Sequence, residues 1–231
     1  MRNQIACPYC DTLLSNRLVN RPIWDTILDS TRNFVAAPTL GSLVEGWVLI
    51  IPKQHKLSIS AIRSESERQE LNRLISRLSE RMEKTWGRSP TIFEHGPSEA
   101  GEKIGCGINH AHLHLVPLSF SLRSATEEFD INILSEWQEL SADTMPTENL
   151  TQNRNYLYFN EPGRGAYIAF PNRDISQYFR RVIANKIGAQ KKFDYKTFSF
   201  ERHARLTVEK LFLTDTQPTY IEYGDRVRDF G

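Results

Sequence analysis

Hydrophobic residues recur with a helical period in one long segment of the chain. Between Ser64 and Trp86 the apolar positions fall at steps of three and four, which predicts one stripe of an amphipathic helix. Ser64 followed by Glu67 is typical of a capping box, and Gly87 predicts where the helix ends. The charged positions between the stripe residues are expected to face solvent. We therefore assign this helix a scaffolding role.

Shorter apolar runs on both sides of this helix predict β-strands. The runs lie at 24–28, 33–38, 44–52 and 91–96, and the run at 44–52 is the richest in β-branched and aromatic residues. A further strand is predicted at 109–117, where every second residue is apolar. Pro117 lacks the N–H that a continuing strand requires, so we expect this strand to end there.

Beyond residue 120 the pattern predicts both helices and strands. Two strand-like runs, 155–159 and 166–170, flank a turn and predict a β-hairpin. Helices are predicted from Asp174 to Gly188 and near 201–212. One more apolar stripe with helical spacing comprises Ile131, Leu134, Trp137 and Leu140.

The two halves are not separated by a long Pro, Gly or Ser linker. We therefore expect one domain at 1–120 and a C-terminal α/β extension at 121–231 that packs on it. The hairpin would equally fit as a continuation of the first sheet.

The composition and the net charge argue against several classes of protein. The chain of 231 residues has a formal net charge of +1, which argues against a general nucleic-acid-binding or membrane-surface protein. No apolar run approaches the roughly 18 residues of a membrane span, and the first residues lack a signal-peptide core. Two of the three cysteines form a Cys-x-x-Cys, which favours a metal or redox site over a disulfide scaffold. We expect a cytoplasmic protein.

Three of the six histidines lie within five residues of the strand predicted at 109–117. In an extended chain His110, His112 and His114 point to one face, and the apolar residues between them point to the other. At about 3.3 Å per residue the outer two lie roughly 13 Å apart, too far to share one zinc ion. A division of labour fits better. His112 would attack an electrophile, while its neighbours orient it or bind a metal elsewhere.

The segment Cys7-Pro8-Tyr9-Cys10 has the spacing of half a zinc site. A thioredoxin-type redox pair has the same spacing, but it normally lies between a strand and a helix, and no such pattern surrounds this segment. Any of several histidines could supply the missing ligands.

Together these segments resemble the histidine triad (HIT) family of nucleotide hydrolases and transferases. The run His110-Ala111-His112-Leu113-His114-Leu115-Val116 is similar to the family signature His-x-His-x-His-x-x. The run Ile51-Pro52-Lys53-Gln54-His55 and the two-cysteine segment precede it in the expected order. The resemblance covers roughly residues 5–118. It implies an α+β fold, in which an antiparallel sheet packs against the amphipathic helix.

The resemblance also implies a mechanism and a metal. His112, with His110 and His114 beside it, would attack the α-phosphate of a nucleotide and form a nucleotidyl-histidine. Water or a phosphorylated acceptor would then resolve this intermediate. A structural zinc ion would be held by Cys7, Cys10, His55 and His110, with His95 as an alternative fourth ligand.

Further residues are predicted to contact the nucleotide. The resemblance places Phe34 in the wall against the base, and Glu94 is assigned to the same site. Gly105, Cys106 and Gly107 lie in a glycine-rich loop whose amides suit phosphate binding. Relatives often have serine or threonine where this chain has Cys106 or Gly107. Phosphate contacts would therefore have to come from backbone amides, Lys103 or the C-terminal half. In the C-terminal half we consider Arg180 and Arg181, because guanidinium groups match phosphate oxygens.

Three classes of function stay open at this point. The first is a nucleotide hydrolase or nucleotidyltransferase that acts through His112. The second is a zinc-stabilised nucleotide-binding or sensor protein without catalysis, and the third is a metal-dependent hydrolase. The expected partner is a small nucleotide, with neither a membrane nor general nucleic acid as a partner, and a homodimer is an open alternative.

Overall fold

The computed structural model describes residues 7–15, 21–102, 104–105, 107–129, 136–173 and 175–213. The strands are β1 (Asp29–Ser30), β2 (Phe34–Pro38), β3 (Val48–Pro52), β4 (Thr91–Gly96), β5 (Leu113–Val116), β6 (Gln138–Leu140), β7 (Tyr156–Glu161) and β8 (Gly165–Ala169). The helices are α1 (Pro8–Asp11), α2 (Glu65–Trp86), α3 (Leu122–Phe129), α4 (Glu148–Thr151), α5 (Tyr178–Lys186) and α6 (Glu201–Leu213). None of the helices in these ranges is long and apolar enough to cross a membrane.

The strands form one antiparallel sheet in the order β1-β2-β3-β5-β4-β7-β8-β6. Strand β7 pairs with β4 from Ile92 opposite Asn160 to Gly96 opposite Tyr156. The hairpin β7–β8 therefore continues the first sheet, which was one of the two alternatives from the sequence. The α+β class is confirmed, and the division at residue 120 into a domain and an extension stays a prediction.

Helix α2 has the ends that its sequence predicts. The Ser64 side chain accepts a hydrogen bond from the backbone N–H of Glu67 at 3.4 Å. Gly87 follows the last turn with a φ of +68°, a left-handed conformation that suits a residue without a Cβ. The buried stripe of the helix consists of Leu71, Leu74, Leu78 and Met82.

Helices cover both faces of the sheet, so its central strands are buried on both sides. The face under α2 and α6, which we call the α2 face, includes Phe34, Ala36, Val48, Ile50, Ala111, Leu113 and Leu115. The opposite face, called the α5 face, includes Val35, Ala37, Leu49, Ile51, Phe93, Leu157 and Phe159, packed against α3 and α5. Alternation along each strand produces this division, because successive side chains point to opposite faces.

The local structure differs from the sequence-based prediction in four places. The run at 24–28 is not a strand, because Ile23–Asp25 forms a single 3-10 turn directly after Pro22. The triad strand is shorter than predicted, since regular pairing begins only at Leu113. The stripe around 131–140 falls partly outside the described residues, and its last residue, Leu140, pairs with Ala166 in β8 instead of forming a helix. Asp174 also lies outside the described residues, and α5 begins only at Tyr178.

Candidate active site

A cavity of about 510 Å³ lies on the α5 face, where the triad meets the ends of β2 and β3. One part of its wall is apolar and includes Tyr9, Leu13, Trp24, Pro38 and Leu40. The polar part includes His112, His114, Gly107, Arg180 and Lys196. The cavity therefore combines an apolar surface, two imidazoles and two cationic side chains, which suits an organic anion with an apolar portion.

His112 is held in a single tautomer by the backbone. Its Nδ1 lies 2.8 Å from the carbonyl oxygen of His110. A carbonyl oxygen can only accept, so Nδ1 carries the proton, and the lone pair of the neutral ring resides on Nε2. Burial lowers the pKa of His112 to about 4, which keeps the ring neutral at pH 7. The side chain is only 7% exposed and lines the cavity.

His114 has the opposite tautomer. Trp47 donates its indole N–H to Nδ1 of His114 at 2.9 Å, and because an indole is only a donor, the His114 proton resides on Nε2. No described residue accepts a hydrogen bond from this buried Nε2. The rings of His112 and His114 lie 4.9 Å apart. The Nε2–H of His114, which has no acceptor among the described residues, thus lies beside the His112 ring, whose lone pair is on Nε2.

Charge and packing around His114 favour its neutral form. Burial, the neighbouring imidazoles of His112 and His95, and the Arg180 guanidinium hold the pKa of His114 well below its usual value. The ring also stacks on Phe93, with 4.5 Å between the centroids, because the two residues are opposite each other in β4 and β5. His114 is therefore fixed as a neutral hydrogen-bond donor.

Arg180 reaches the cavity from the second half of the chain. Its Nε donates to the carbonyl of Phe193 at 2.8 Å, and its Nη2 donates to the carbonyl of Gly41. The guanidinium carbon lies 5.0 Å from the centre of the Trp47 ring. These contacts hold a buried positive charge at the cavity wall and tie α5 to the loop after β2.

A second cluster brings together the four residues predicted as metal ligands. Nδ1 of His110 lies 3.2 Å from the Cys7 sulfur and 3.5 Å from the Cys10 sulfur. Nδ1 of His55 lies 3.5 Å from the Cys10 sulfur, and all four ligand atoms lie within 4.8 Å of one another. In a tetrahedral zinc site, neighbouring sulfur and nitrogen ligands are roughly 3.5 Å apart. The spacing fits one tetrahedral ion.

The surroundings of the cluster also suit a metal. Nε2 of His110 donates to the carbonyl of Pro52 at 2.7 Å, which leaves Nδ1 as the ligand atom, the arrangement usual for metal-bound histidine. Burial and the neighbouring Cys7 raise the pKa of the Cys10 thiol to about 11. A bound metal ion would instead lower the pKa of the Cys10 thiol, because metals bind the thiolate form. His95, the alternative ligand, lies elsewhere, and its Nε2 accepts the backbone N–H of Phe179 at 3.1 Å.

Two residues predicted to contact the nucleotide lie on the wrong face of the sheet. Phe34 is fully buried on the α2 face, because it alternates with Val35, which faces the other way. Glu94 alternates with Phe93 in the same manner. Its carboxylate accepts hydrogen bonds from the backbone N–H of Ile59 at 2.7 Å and from the Tyr156 hydroxyl. Both residues belong to the folded interior and not to the cavity wall.

Of the predicted phosphate-binding residues Gly105, Gly107 and Arg181, only Gly107 lies at the cavity. Gly107 lines the cavity, whereas the carbonyl of Gly105 accepts hydrogen bonds from Ser176 and Gln177. Lys103 and Cys106 lie outside the described residues. Arg181 is directed away from the cavity, because its Nε donates to the Ser176 carbonyl and its guanidinium stacks on Phe193 at 3.8 Å.

Several residues of the site were not identified from the sequence. Trp47 and Trp24 were assigned only to strands, and Tyr195 and Lys196 lie in a segment with no predicted element. The alternation of Trp47 with Leu49 and Ile51 places the three on one face. Only the pairing of Leu49 with His114 shows that this face carries the triad. No local signal in the sequence indicates that Lys196 lines the cavity, since its position there depends on contacts between distant parts of the chain.

No protein-family model and no curated protein sequence matches this chain. Among solved structures, the chain is similar to a HIT family protein from Bacillus anthracis, with 17% identity and a TM-score of 0.39, over 54% of this chain and 86% of that one. It is similar to a HIT family hydrolase from Clostridium thermocellum, with 20% identity and a TM-score of 0.36, over 52% and 96%. A Zn-bound histidine triad family protein from Mycobacterium smegmatis gives 18% identity and a TM-score of 0.37, over 48% and 74%.

Proposed function

We propose that this protein is a nucleotide hydrolase or nucleotidyltransferase in which Nε2 of His112 attacks the α-phosphate of a nucleotide. The observation that carries this proposal is the pair of opposite tautomers in the cavity. The hydrogen bond to the His110 carbonyl leaves the lone pair on Nε2 of His112, and the Trp47 indole leaves the proton on Nε2 of His114. A nucleophile and a hydrogen-bond donor therefore lie side by side.

The chemistry follows from these two nitrogens. As Nε2 of His112 bonds to the α-phosphorus, the bond to the leaving group breaks and the leaving group takes the electron pair. The positive charge that develops on the His112 ring is shared through Nδ1–H with the His110 carbonyl. The Nε2–H of His114 donates to a phosphoryl oxygen. Water or a phosphorylated acceptor then attacks the phosphorus and gives up its proton to solvent, while the bond between phosphorus and Nε2 breaks and its electron pair returns to Nε2.

The apolar part of the cavity would bind the nucleoside. Trp24 and Tyr9 provide aromatic surface, and Leu13, Pro38 and Leu40 provide aliphatic surface. A nucleobase is flat and largely apolar on its faces, so stacking and burial would stabilise it there. This assignment replaces Phe34, which lies on the α2 face.

The four-residue cluster would hold a structural zinc ion through Cys7, Cys10, His55 and His110. With four protein ligands, the ion would have no open position for substrate and would only crosslink α1 to the ends of β3 and the triad segment. Because His110 is used in this way, His112 and His114 stay available for nucleotide chemistry. The metal-dependent hydrolase alternative gains less support, since it requires two triad histidines on a catalytic ion.

The decisive experiment is detection of a covalent nucleotide on His112. Wild-type protein incubated with a nucleotide labelled at the α-phosphate should form an adduct that survives alkali and is lost in acid. His112→Ala should remove the adduct and lower turnover by roughly a thousandfold or more, without lowering the melting temperature.

His203→Ala is the matched control, because His203 lies on α6 outside the cavity, with its Nδ1 donating to the Ser42 carbonyl. This control should keep the adduct. Turnover by wild-type protein without any adduct, or near-normal turnover by His112→Ala, would contradict the proposal. Nucleotide binding without turnover would instead favour the non-enzymatic alternative.

A further inference from the structure

Lys196 brings a positive charge from the second half of the chain to the rim of the cavity. Its side chain is exposed and lines the same cavity as His112 and His114. Its Nζ lies 3.1 Å from the position that a Cβ on residue 107 would occupy. Its charge contributes to a lowered pKa of Asp194, and its Nζ lies 6.0 Å from the centre of the Tyr195 ring, but none of the described carboxylates lies within ion-pair distance of it. The charge is therefore available to a ligand.

The Lys196 side chain approaches Gly107 closely. Gly107 has a φ of +79°, which favours glycine, and a Cβ at this position would lie 3.1 Å from the ammonium nitrogen, so the Lys196 side chain would have to shift by a few tenths of an ångström. The ammonium group therefore lies in close contact with the side of Gly107 that has no side chain. A cation from the second half of the chain therefore lies beside Gly107 in the lining of the cavity.

The segment that carries Lys196 is held firmly against the loop before the triad. Gln177 is the link, and it is only 6% exposed with a φ of +60°. Its backbone N–H donates to the carbonyl of Gly105, and its side-chain amide donates to Asp194 at 3.1 Å. Asp194 in turn accepts the backbone N–H of Lys196 at 3.1 Å. The position of the Lys196 backbone is therefore fixed relative to the phosphate side of the cavity.

The direction of attack by His112 indicates which phosphate of the substrate the Lys196 ammonium group would contact. Phosphoryl transfer places the leaving group roughly opposite the attacking atom. His112 lies in the buried floor of the cavity, whereas Lys196 lies at its exposed rim. The leaving group should therefore face the rim. His114, beside the nucleophile, would contact the α-phosphate itself.

We propose that Lys196 is the specificity-determining residue for the leaving group and binds the phosphate next to the scissile bond. The preferred substrates are then nucleotides whose leaving group begins with a second phosphoryl group, rather than those with a neutral leaving group. When the α-phosphorus bond breaks, the electron pair stays on the leaving phosphate oxygen, and the ammonium stabilises that charge. This inference rests on the proposed attack by His112.

The test compares two substrates with the same nucleoside. One is diadenosine tetraphosphate, with an anionic leaving group, and the other is adenosine 5′-phosphoramidate, whose leaving group is an amine. The measured quantity is the ratio of kcat/KM for the first substrate to kcat/KM for the second. In Lys196→Gln this ratio should fall about 10-fold or more relative to wild type, because one charge-assisted contact is lost.

Two further variants complete the test. Lys196→Arg should restore most of the ratio, since it restores the charge, and a purely structural role would not produce this rescue. Lys192→Gln, an exposed lysine in the preceding turn, should leave the ratio unchanged. The inference is overturned if Lys196→Gln lowers both substrates equally or neither, while wild-type protein still forms the His112 adduct. If wild-type protein forms no adduct with either substrate, the proposed function fails, and this inference with it.

Discussion

At the scale of single residues, the tautomers of His112 and His114 are each fixed by a hydrogen-bond partner that can only accept or only donate. The His110 carbonyl can only accept, and the Trp47 indole can only donate, so His112 and His114 have opposite tautomers. The sequence identifies the histidines, but not these states. Trp47 lies far from the triad in sequence and meets it only through the pairing of β3 with β5.

Glu94 carries a residue-scale prediction about pH. Burial raises the pKa of Glu94 from its usual 4.5 to about 7, despite the hydrogen bonds from Tyr156 and Ile59. Between these pH values the folded state binds more protons than the unfolded chain, so stability should fall as the pH rises. We expect the free energy of unfolding to drop by about 3 kcal/mol between pH 4.5 and pH 8 from this group.

Urea denaturation across this pH range checks the prediction. Glu94→Gln should remove most of the decline, because an amide keeps an acceptor for Ile59 but does not titrate. Glu99→Gln, at an exposed position in the loop after β4, should keep the wild-type pH dependence. An undiminished decline in Glu94→Gln would show that other groups cause it.

At the scale of elements, local signals sufficed where the pattern was long, and failed where pairing or a turn decided the structure. Helix α2 and the hairpin β7–β8 were confirmed, because a repeated period and clear end residues specify them. The run at 24–28 has a strand-like composition but follows Pro22 into a 3-10 turn. The alternation of Phe34 and Glu94 was visible in the sequence. Which face each would share with the triad depended on strand order.

Helix α2 carries the element-scale prediction. Leu74 is fully buried in the stripe that packs on the α2 face, so Leu74→Ala should leave a cavity there. We expect a loss of about 2–5 kcal/mol in the free energy of unfolding, measured with urea. Ser76→Ala, at an exposed position of the same helix, should change stability by no more than about 0.5 kcal/mol. Equal effects of the two substitutions would mean that α2 is not docked as described.

At the scale of the whole molecule, the site is assembled from both halves of the chain. The triad and the two-cysteine segment belong to the half that resembles a known family, whereas Arg180 and Lys196 come from beyond it. The sequence indicated that arginines of the second half are candidates, and Arg180 does line the cavity. It gave no means to choose Arg180 over Arg181, because that depends on how α5 is rotated against the sheet.

Metal removal is the prediction at this scale. Purified, reduced protein should contain one zinc per chain, and a strong chelator should lower its melting temperature, because metal binding contributes to folding free energy. Cys10→Ser should lower the melting temperature in a similar way and make it insensitive to the chelator. Wild-type protein without zinc, or with a chelator-independent melting temperature, would contradict the structural metal site.

The pairing of β4 with β7 has a consequence for synthesis on the ribosome. Strand β4 ends at Gly96, and the strand that covers its free edge begins only at Tyr156. At about 5–20 residues per second, the intervening chain takes several seconds to emerge. During this time one edge of β4 is unpaired, and an unpaired strand edge is a template for aggregation. A nascent chain of this protein therefore has a defined interval in which a chaperone that covers exposed strand edges would raise the yield of folded protein.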